Sequence, residues 1–402
     1  MHITTPSDAL GPPANADAPV RRARDARLDF FRGLGMFIIL IAHIPNNTWA
    51  LWIPARFGFS DATEMFVFQS GMASAFAYGA TFDRRGAFPL TARVAHRVWQ
   101  IYWMHVCVFF VGLALLVAAG TRPDGMSYAD QLNLGPFLRD PGLLTGALLT
   151  LRYVPNYFDI LPMYMVILAL LPVMLMAARS HAALALALML ALWIAAQAGL
   201  ANLPAEPFSN RPWFFNPFGW QLLFFTGFFI ARGAIPVPRY HPWLIAGAAL
   251  FLMASMPFSL VRWYELHPAF KAAVGHIAPL TDKTDFGALR FLHFLALAYL
   301  AAHAVGEKGA LLRGPVVRVV SVVGQQSLAV FATGMVGALV LGIWLSRSTE
   351  GPREIAVANF VGIGLLIATA YLVRWFKSAP WKAPGVMATS AEPSGRSGTP
   401  LR

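Results

Sequence analysis

Long apolar segments recur along the whole chain and limit what it can fold into. About ten of them are recognisable, each within the roughly 17–25 residues that carry a helix across a bilayer. They lie near residues 30–47, 62–80, 98–119, 158–177, 182–200, 215–232, 242–261, 287–305, 324–345 and 355–376. We therefore predict an all-α polytopic membrane protein with about ten transmembrane helices.

The composition favours a membrane setting over a soluble one. Hydrophobic residues make up 57% of the chain and charged residues 12%, whereas a soluble domain carries about 25% charged residues. The net charge of +12 is therefore attributed to Lys and Arg gathered beside one membrane face, and no nucleic-acid partner is predicted. The single cysteine, Cys107, provides neither a disulfide framework nor a cysteine metal site, and no metal is predicted.

Basic residues are distributed unevenly among the loops. The loops after the second, fourth, sixth and eighth segments, with both termini, are rich in Lys and Arg, whereas the opposite loops are nearly balanced in charge. By the positive-inside rule both termini are cytoplasmic, which an even number of helices also requires. Two of the external loops are long, at residues 120–157 and 262–286.

The chain divides into three predicted parts. Residues 22–378 form one membrane domain. Residues 1–21 are rich in Pro, Ala and Asp, and residues 379–402 are rich in Ser, Pro and Gly. Both ends are therefore expected to be disordered cytoplasmic tails.

The first segment carries ionisable residues inside its apolar run. They are Asp29, Arg32 and His43, and each costs roughly 2.5–3.5 kcal/mol on insertion scales. Arg32 and His43 are eleven residues apart, which places them within about 20° of each other on one helix face and ~16 Å apart along the axis. Separately, each has a structural explanation: an N-cap, an arginine extending to the headgroups and a helix-end histidine. Their shared register favours a function.

Two acidic residues begin the second segment. Asp61 and Glu64 are one helical turn apart, and the short link from His43 indicates that the first two helices are antiparallel neighbours. A histidine with a nearby carboxylate can act as a general base, because the acid fixes the tautomer of the ring. We therefore expect Asp61 or Glu64 to pair with His43, while Asp61 alone is simply explained as a helix N-cap.

Four arginines cluster at the cytoplasmic end of the third segment. Arg93 and Arg97 are one turn apart, and Arg84 and Arg85 lie just upstream. Guanidinium groups bind phosphates through paired hydrogen bonds, so this cluster is a candidate site for a nucleotide-like cofactor. The alternative is an ordinary positive anchor at the inner face.

Polar residues also enter the later segments from the external side, as expected for a site that is reachable from both faces. They are Asn156, Tyr157 and Asp159 at the fourth segment, Gln221 in the sixth, and Lys283, Arg290 and His293 leading into the eighth. Asp159 is nearly as well explained as a helix N-cap.

Several of these stretches together resemble the OpgC family of membrane proteins, most strongly over residues 22–80. The stretches are Arg24 to Arg32 with Gly33, His43-Ile44-Pro45, Gly58 to Ala62 with Glu64, Phe66-Val67-Phe68, Asn156 to Met163, Asn216 to Gln221, and Phe225-Thr226-Gly227. The family is similar to the broader acyltransferase 3 group, whose signature is a basic residue, ten intervening positions and a histidine. Arg32 and His43 satisfy that signature. A second signature, two arginines near the cytoplasmic side of an early helix, is similar to Arg93 and Arg97.

The resemblance implies O-acylation across the inner membrane of a Gram-negative bacterium by a multi-pass protein. The donor would be acyl-CoA at the cytoplasmic face, with succinyl-CoA expected, and the acceptor would be a periplasmic glucan. No permanently bound cofactor is expected, and the resemblance leaves the oligomeric state open.

The resemblance also assigns roles to the residues singled out above. The four-arginine cluster would bind the CoA phosphates, and His43, polarised by Asp61 or Glu64, would deprotonate a sugar hydroxyl or be acylated first. Arg32, paired with Asp29, would hold the first helix in register or meet the donor. The substrate-binding set would be Asn156, Tyr157, Asp159, Gln221, Lys283, Arg290 and His293. Within this set, Lys283 or Arg290 could favour a dicarboxylate-derived acyl group.

Two other interpretations remain. A proton-coupled transporter or flippase would use His43 and the acids near the external face as a path, but no internal repeat is visible and the arginine cluster is left unexplained. A purely structural membrane partner leaves the common register of Arg32 and His43 unexplained. Binding of acyl-CoA would separate the first of these from an acyltransferase.

Overall fold

The fold is described from a computed structural model, which covers residues 25–259, 265 and 267–381. Apart from two isolated bridges, all regular secondary structure in these residues is helical, which confirms the predicted all-α class. The helices are α1 Ala26–His43, α2 Ala62–Ser74, α3 Ala80–Arg85, α4 Ala87–Ala119, α5 Tyr128–Gln131, α6 Gly135–Arg139, α7 Pro141–Leu149, α8 Ile160–Ser180, α9 Ala182–Gln197, α10 Pro217–Ala231, α11 Pro242–Ser259, α12 Pro268–Thr281, α13 Ala288–Ala304, α14 Pro315–Gln325, α15 Ser327–Ser346 and α16 Pro352–Ser378.

Each of the ten predicted segments coincides with one of these helices or with the continuous α2–α3 run. Five helices are long and apolar enough to cross a membrane, namely α4, α8, α11, α15 and α16. The chain is therefore a membrane protein, while the count of ten spans and the cytoplasmic placement of both ends stay predictions. The predicted tail at residues 1–21 and residues 382–402 of the other tail lie outside the described residues.

Two predicted loops contain helices of their own. The stretch 120–157 contains α5, α6 and α7, and the stretch 262–286 contains α12. A further helix, α14, lies between the eighth and ninth predicted segments and was not predicted. Segment length was the signal used for prediction, and these short helices fall below the length that crosses a bilayer.

Helix α1 is fixed at both ends by local sequence. The Asp25 side chain accepts a hydrogen bond from the Arg27 N–H at 3.0 Å and caps the start. The helix ends at His43 because Ile44, which precedes Pro45, has an extended backbone with ψ 113. This end lies four residues before the boundary predicted from hydrophobicity.

Helix α1 crosses α14 with the two backbones in close contact. A Cβ added to Gly33 would lie 1.9 Å from the Val320 carbonyl oxygen, and one added to Gly324 would lie 1.9 Å from the Asp29 carbonyl oxygen. Glycine is thus required on both helices. Helix α1 also packs against α2, α15 and α16, so it lies at the centre of the bundle.

Helix α2 begins with a complete capping box. The Asp61 side chain accepts from the Thr63 N–H at 2.6 Å, and the Glu64 side chain accepts from the Asp61 N–H at 2.7 Å. After Ser74 the helix widens into a π-helical turn over residues 75–79 and then continues as α3. Such turns inside α-helices are often found at functional sites.

Candidate active site

The imidazole of His43 is held in one orientation at the C-terminal end of α1. Its Nδ1 lies 2.7 Å from the Ile39 carbonyl oxygen, and because a carbonyl can only accept, Nδ1 donates. In the neutral ring Nε2 therefore carries the lone pair, as a general base requires. The Tyr157 ring meets the imidazole edge-on at 5.4 Å, and its hydroxyl donates to the Met335 carbonyl oxygen at 2.6 Å.

Two cavities of different character meet at His43. The inner gap is a nearly closed space of about 10 Å³ between α1, α15 and α16, bordered by Met36, Phe331 and Leu366 as well as His43. The outer cavity is about 260 Å³, and Arg122 and Tyr157 also border it. The imidazole thus lies between an apolar gap and a larger cavity whose wall also carries polar side chains.

Asp61 and Glu64, predicted to pair with His43, have cations as their hydrogen-bond partners. The Asp61 carboxylate accepts from Lys283 Nζ at 2.5 Å, and the Glu64 carboxylate accepts from Arg290 Nη1 at 2.7 Å. Both cations come from the segment around the α12–α13 link, which folds over the start of α2. The charges of Asp61 and Lys283 both act on the His43 ring at longer range.

Two further residues of the predicted substrate set lie near charged groups. Asp159, at the start of α8, is buried, and the charges of Lys283 and Arg211 both act on it. The side-chain oxygen of Asn156 accepts from Arg211 Nη1 at 3.4 Å. Arg211 therefore lies near both residues.

His293 and Gln221 have structural partners. The Nδ1 of His293 lies 2.7 Å from the Ser60 hydroxyl, and its ring packs so closely on Gly58 that a Cβ there would lie 2.1 Å from Nε2. This contact ties α13 to the segment that leads into α2. Gln221 is fully buried in α10 and donates to the Met189 and Phe218 carbonyl oxygens at 2.7 and 3.1 Å. It packs α10 against α9 and does not border the outer cavity.

Asp29 and Arg32 connect the N-terminal half of α1 to its neighbours. Asp29 accepts from Gln325 Nε2 at 3.1 Å. Arg32 Nη2 donates to the Gln69 carbonyl oxygen at 3.0 Å. These contacts hold α1 in register with α14 and α2, and the predicted pairing of Asp29 with Arg32 stays a prediction.

The predicted phosphate-binding arginines differ in how strongly they are held. Arg93 Nη1 donates at 2.7 Å both to the Ala77 carbonyl oxygen and to the Thr81 hydroxyl, so it closes the π-helical turn. Arg97 donates to the Gln100 side chain at 3.0 Å. Arg84 and Arg85 are exposed at the end of α3.

Aromatic rings lie in two groups, one beside these arginines and one beside the inner gap. The Arg93 guanidinium lies 5.5 Å from the centre of the Tyr78 ring. Phe66 bridges Tyr164 and Phe331, with ring centres 6.4 and 6.3 Å apart. Phe331 borders the inner gap beside His43. The second group joins α2, α8 and α15, so no local pattern in the sequence indicated it.

A third cavity was also missed by sequence reasoning. It has a volume of about 760 Å³ and lies where α3, α8 and α10 end, with Arg179 and Arg232 on its wall. Arg232 binds Asp83 through both Nη atoms, at 2.9 and 3.1 Å. The sequence signal for this cavity is the excess of Arg in the corresponding loops, which the positive-inside rule also explains.

Comparison with known proteins gives one match. A family model described as OpgC protein matches residues 24–378, which is most of the chain. No curated protein and no solved structure matches it.

Proposed function

The chain belongs to the OpgC family, and from this premise we propose that it is an O-acyltransferase of the bacterial inner membrane. The family is associated with modification of osmoregulated periplasmic glucans. The proposed reaction moves an acyl group, succinyl in the first instance, from cytoplasmic acyl-CoA to glucan hydroxyls. The observation that carries the proposal is the position of His43, which borders both the inner gap and the outer cavity.

The proposed chemistry places the glucan hydroxyl in the outer cavity beside His43 Nε2. The lone pair of Nε2 accepts the hydroxyl proton as the oxygen attacks the thioester carbonyl carbon. The new carbon–oxygen ester bond forms and the carbon–sulfur bond breaks. The departing thiolate then takes the proton back from the imidazolium, so that CoA leaves as the free thiol.

The donor is proposed to enter from the cytoplasmic side. Arg84 and Arg85 are exposed and Arg97 is half-buried, and their guanidinium groups carry donors that suit phosphate groups, whereas Arg93 is already bound to the π-helical turn. The rings of Tyr164, Phe66 and Phe331 then line the apolar route proposed for the pantetheine arm on its way to His43. The ~16 Å from Arg32 to His43 along the helix is about the length of that arm.

Binding of the donor must open the inner gap. Its volume of about 10 Å³ is at the lower limit for holding one water molecule. Side chains on α1, α15 and α16 must therefore move before a thioester can reach the imidazole. This closure also keeps the two faces of the membrane separate when no donor is bound.

The external ion pairs are proposed to support the site without taking the proton. Asp61 and Glu64 are neutralised by Lys283 and Arg290, and these pairs fix the start of α2 beside the end of α1. With both acids held in ion pairs, no observation favours a proton path through them over the acyltransferase.

The experiment that tests the proposal measures transfer by the purified protein. Succinyl-CoA and a neutral glucan oligosaccharide are supplied, and ester formation is followed by mass spectrometry. His43→Ala should lower kcat about 10²–10⁴-fold, while His181→Ala, at an exposed histidine on the cytoplasmic side, should leave it unchanged. Normal transfer by His43→Ala would overturn the mechanism, and no transfer by the unmodified protein would overturn the function.

A further inference from the structure

An arginine that the site prediction did not include borders the outer cavity. Arg122 lies in a tight hairpin that connects α4 to α5, where the Arg122 N–H donates to the Met126 carbonyl oxygen at 2.8 Å. The hairpin is closed by the Tyr128 N–H, which donates to the Gly120 carbonyl oxygen at 3.1 Å. Arg122 and His43 both border the outer cavity, so a ligand in it can reach both.

The hairpin is anchored rather than loosely placed. The Tyr128 hydroxyl lies 2.7 Å from the Ser346 hydroxyl on α15. The Arg347 guanidinium lies 5.5 Å from the centre of the Tyr128 ring, and its Nη2 donates to the Ala119 carbonyl oxygen. These contacts fix the wall of the cavity from which Arg122 extends.

The guanidinium of Arg122 is only partly neutralised. Its side chain is 17% exposed, and the carboxylate of Asp124, 3.2 Å from Nε, is 53% exposed. Nε is buried, and its contact with Asp124 is an ion pair without the geometry of a hydrogen bond. A guanidinium that has lost water gains most from a carboxylate that can accept two parallel hydrogen bonds.

Lys283 and Arg290, which the sequence suggested as binders of a dicarboxylate-derived acyl group, have other partners. Lys283 binds Asp61 and Arg290 binds Glu64. Neither of them borders the outer cavity. Arg122 is therefore the cation that a bound anion would meet beside His43.

We propose that Arg122 is the residue that selects a dicarboxylic acyl group, by binding its terminal carboxylate in the outer cavity while the thioester carbonyl lies at His43. The proposal rests on the proposed acyltransferase function. It assigns the acyl chain to the space between the imidazole and the guanidinium, with the acceptor hydroxyl entering the same cavity. The carboxylate replaces Asp124 as the partner of Arg122.

The test compares two donors of equal carbon number in the full-length purified protein. Succinyl-CoA carries the terminal carboxylate and butyryl-CoA does not, and a neutral glucan oligosaccharide is the acceptor in both reactions. Arg122→Gln should lower kcat/KM for succinyl-CoA about 10–100-fold, the usual value of a hydrogen bond to a charged group. The same variant should change kcat/KM for butyryl-CoA less than about threefold, which also shows that it is folded.

Two control variants sharpen the comparison. Arg139→Gln removes an exposed arginine from α6 on the same external side and should affect neither donor. Arg122→Lys keeps the charge but loses the forked donor geometry, and should recover part of the succinyl-CoA activity.

Several results would overturn the proposal. Equal losses with both donors would make Arg122 structural, and no loss with either would leave it without a role. A loss that appears only with an anionic glucan would assign the carboxylate to the acceptor. In all three cases the unmodified protein still transfers acyl groups, so the proposed function survives; if it transfers from neither donor, both proposals fall.

Discussion

The Glu64–Arg290 ion pair should stabilise the fold far more than an exposed pair does. The Glu64 side chain is 0% exposed and that of Arg290 13%, and Glu64 also accepts from the backbone N–H of Asp61. Removing one member of a buried pair leaves the other charge without a partner, at a cost of about 3–5 kcal/mol. Glu64→Ala should therefore lower the free energy of unfolding by about that amount.

An exposed pair on the other side of the bundle provides the reference. Asp83 is 52% exposed and binds Arg232, which is 30% exposed. Solvent screening limits such pairs to about 0–1 kcal/mol, so Asp83→Ala should have little effect. The double variant Glu64→Met with Arg290→Met removes both buried charges and keeps most of the volume, so it should recover most of the loss.

The assay is thermal unfolding in one detergent, followed by tryptophan fluorescence. The expected order of melting temperature is Asp83→Ala close to the unmodified protein, then the double variant, then Glu64→Ala well below both. If Glu64→Ala melted at the same temperature as Asp83→Ala, the claim that the buried pair stabilises the fold more than the exposed pair would be wrong. A double variant no more stable than Glu64→Ala would refute the argument that an unpaired charge causes the loss.

Three further results are expected. Gly33→Ala should lower the melting temperature strongly, because its Cβ would lie 1.9 Å from a backbone carbonyl oxygen of α14, whereas Gly364→Ala, with no atom within 4 Å, should be neutral or slightly stabilising. Arg97→Gln should raise KM for acyl-CoA and leave kcat little changed. If its steady-state kinetics equal those of Arg139→Gln, Arg97 does not bind the donor and serves only as a positive anchor. Tyr157→Phe loses the hydroxyl that donates to α15, so kcat should fall while KM for the donor is kept; an unchanged kcat would show that His43 does not need this support.

The helical class and the places of the apolar segments could be predicted because both depend on local composition. The position of His43 relative to Arg32 was predictable for the same reason, since an eleven-residue register lies within one helix. Asp61 and Glu64 were correctly placed at the start of α2, where they form its capping box. Helix ends were less certain, as the effect of Pro45 on α1 illustrates.

The partners of these residues could not be predicted, because they come from distant parts of the chain. Lys283 is 222 residues from Asp61, and Arg290 is 226 residues from Glu64. Which helix a polar side chain faces is likewise set by packing, and Gln221 faces α9 rather than a cavity. Arg122 lies in a loop of balanced charge, so nothing in the sequence separated it from other surface arginines.

The central claim is that an acyl donor and a glucan reach His43 from opposite faces of the membrane. Proteoliposomes with the protein in one orientation allow succinyl-CoA and a neutral glucan to be supplied on chosen sides, and ester formation is measured by mass spectrometry. The account predicts product when succinyl-CoA is on the side of Arg97 and the glucan is on the side of Arg122, and none when both are on the side of Arg122. Product formed with both substrates on the side of Arg122 would contradict it.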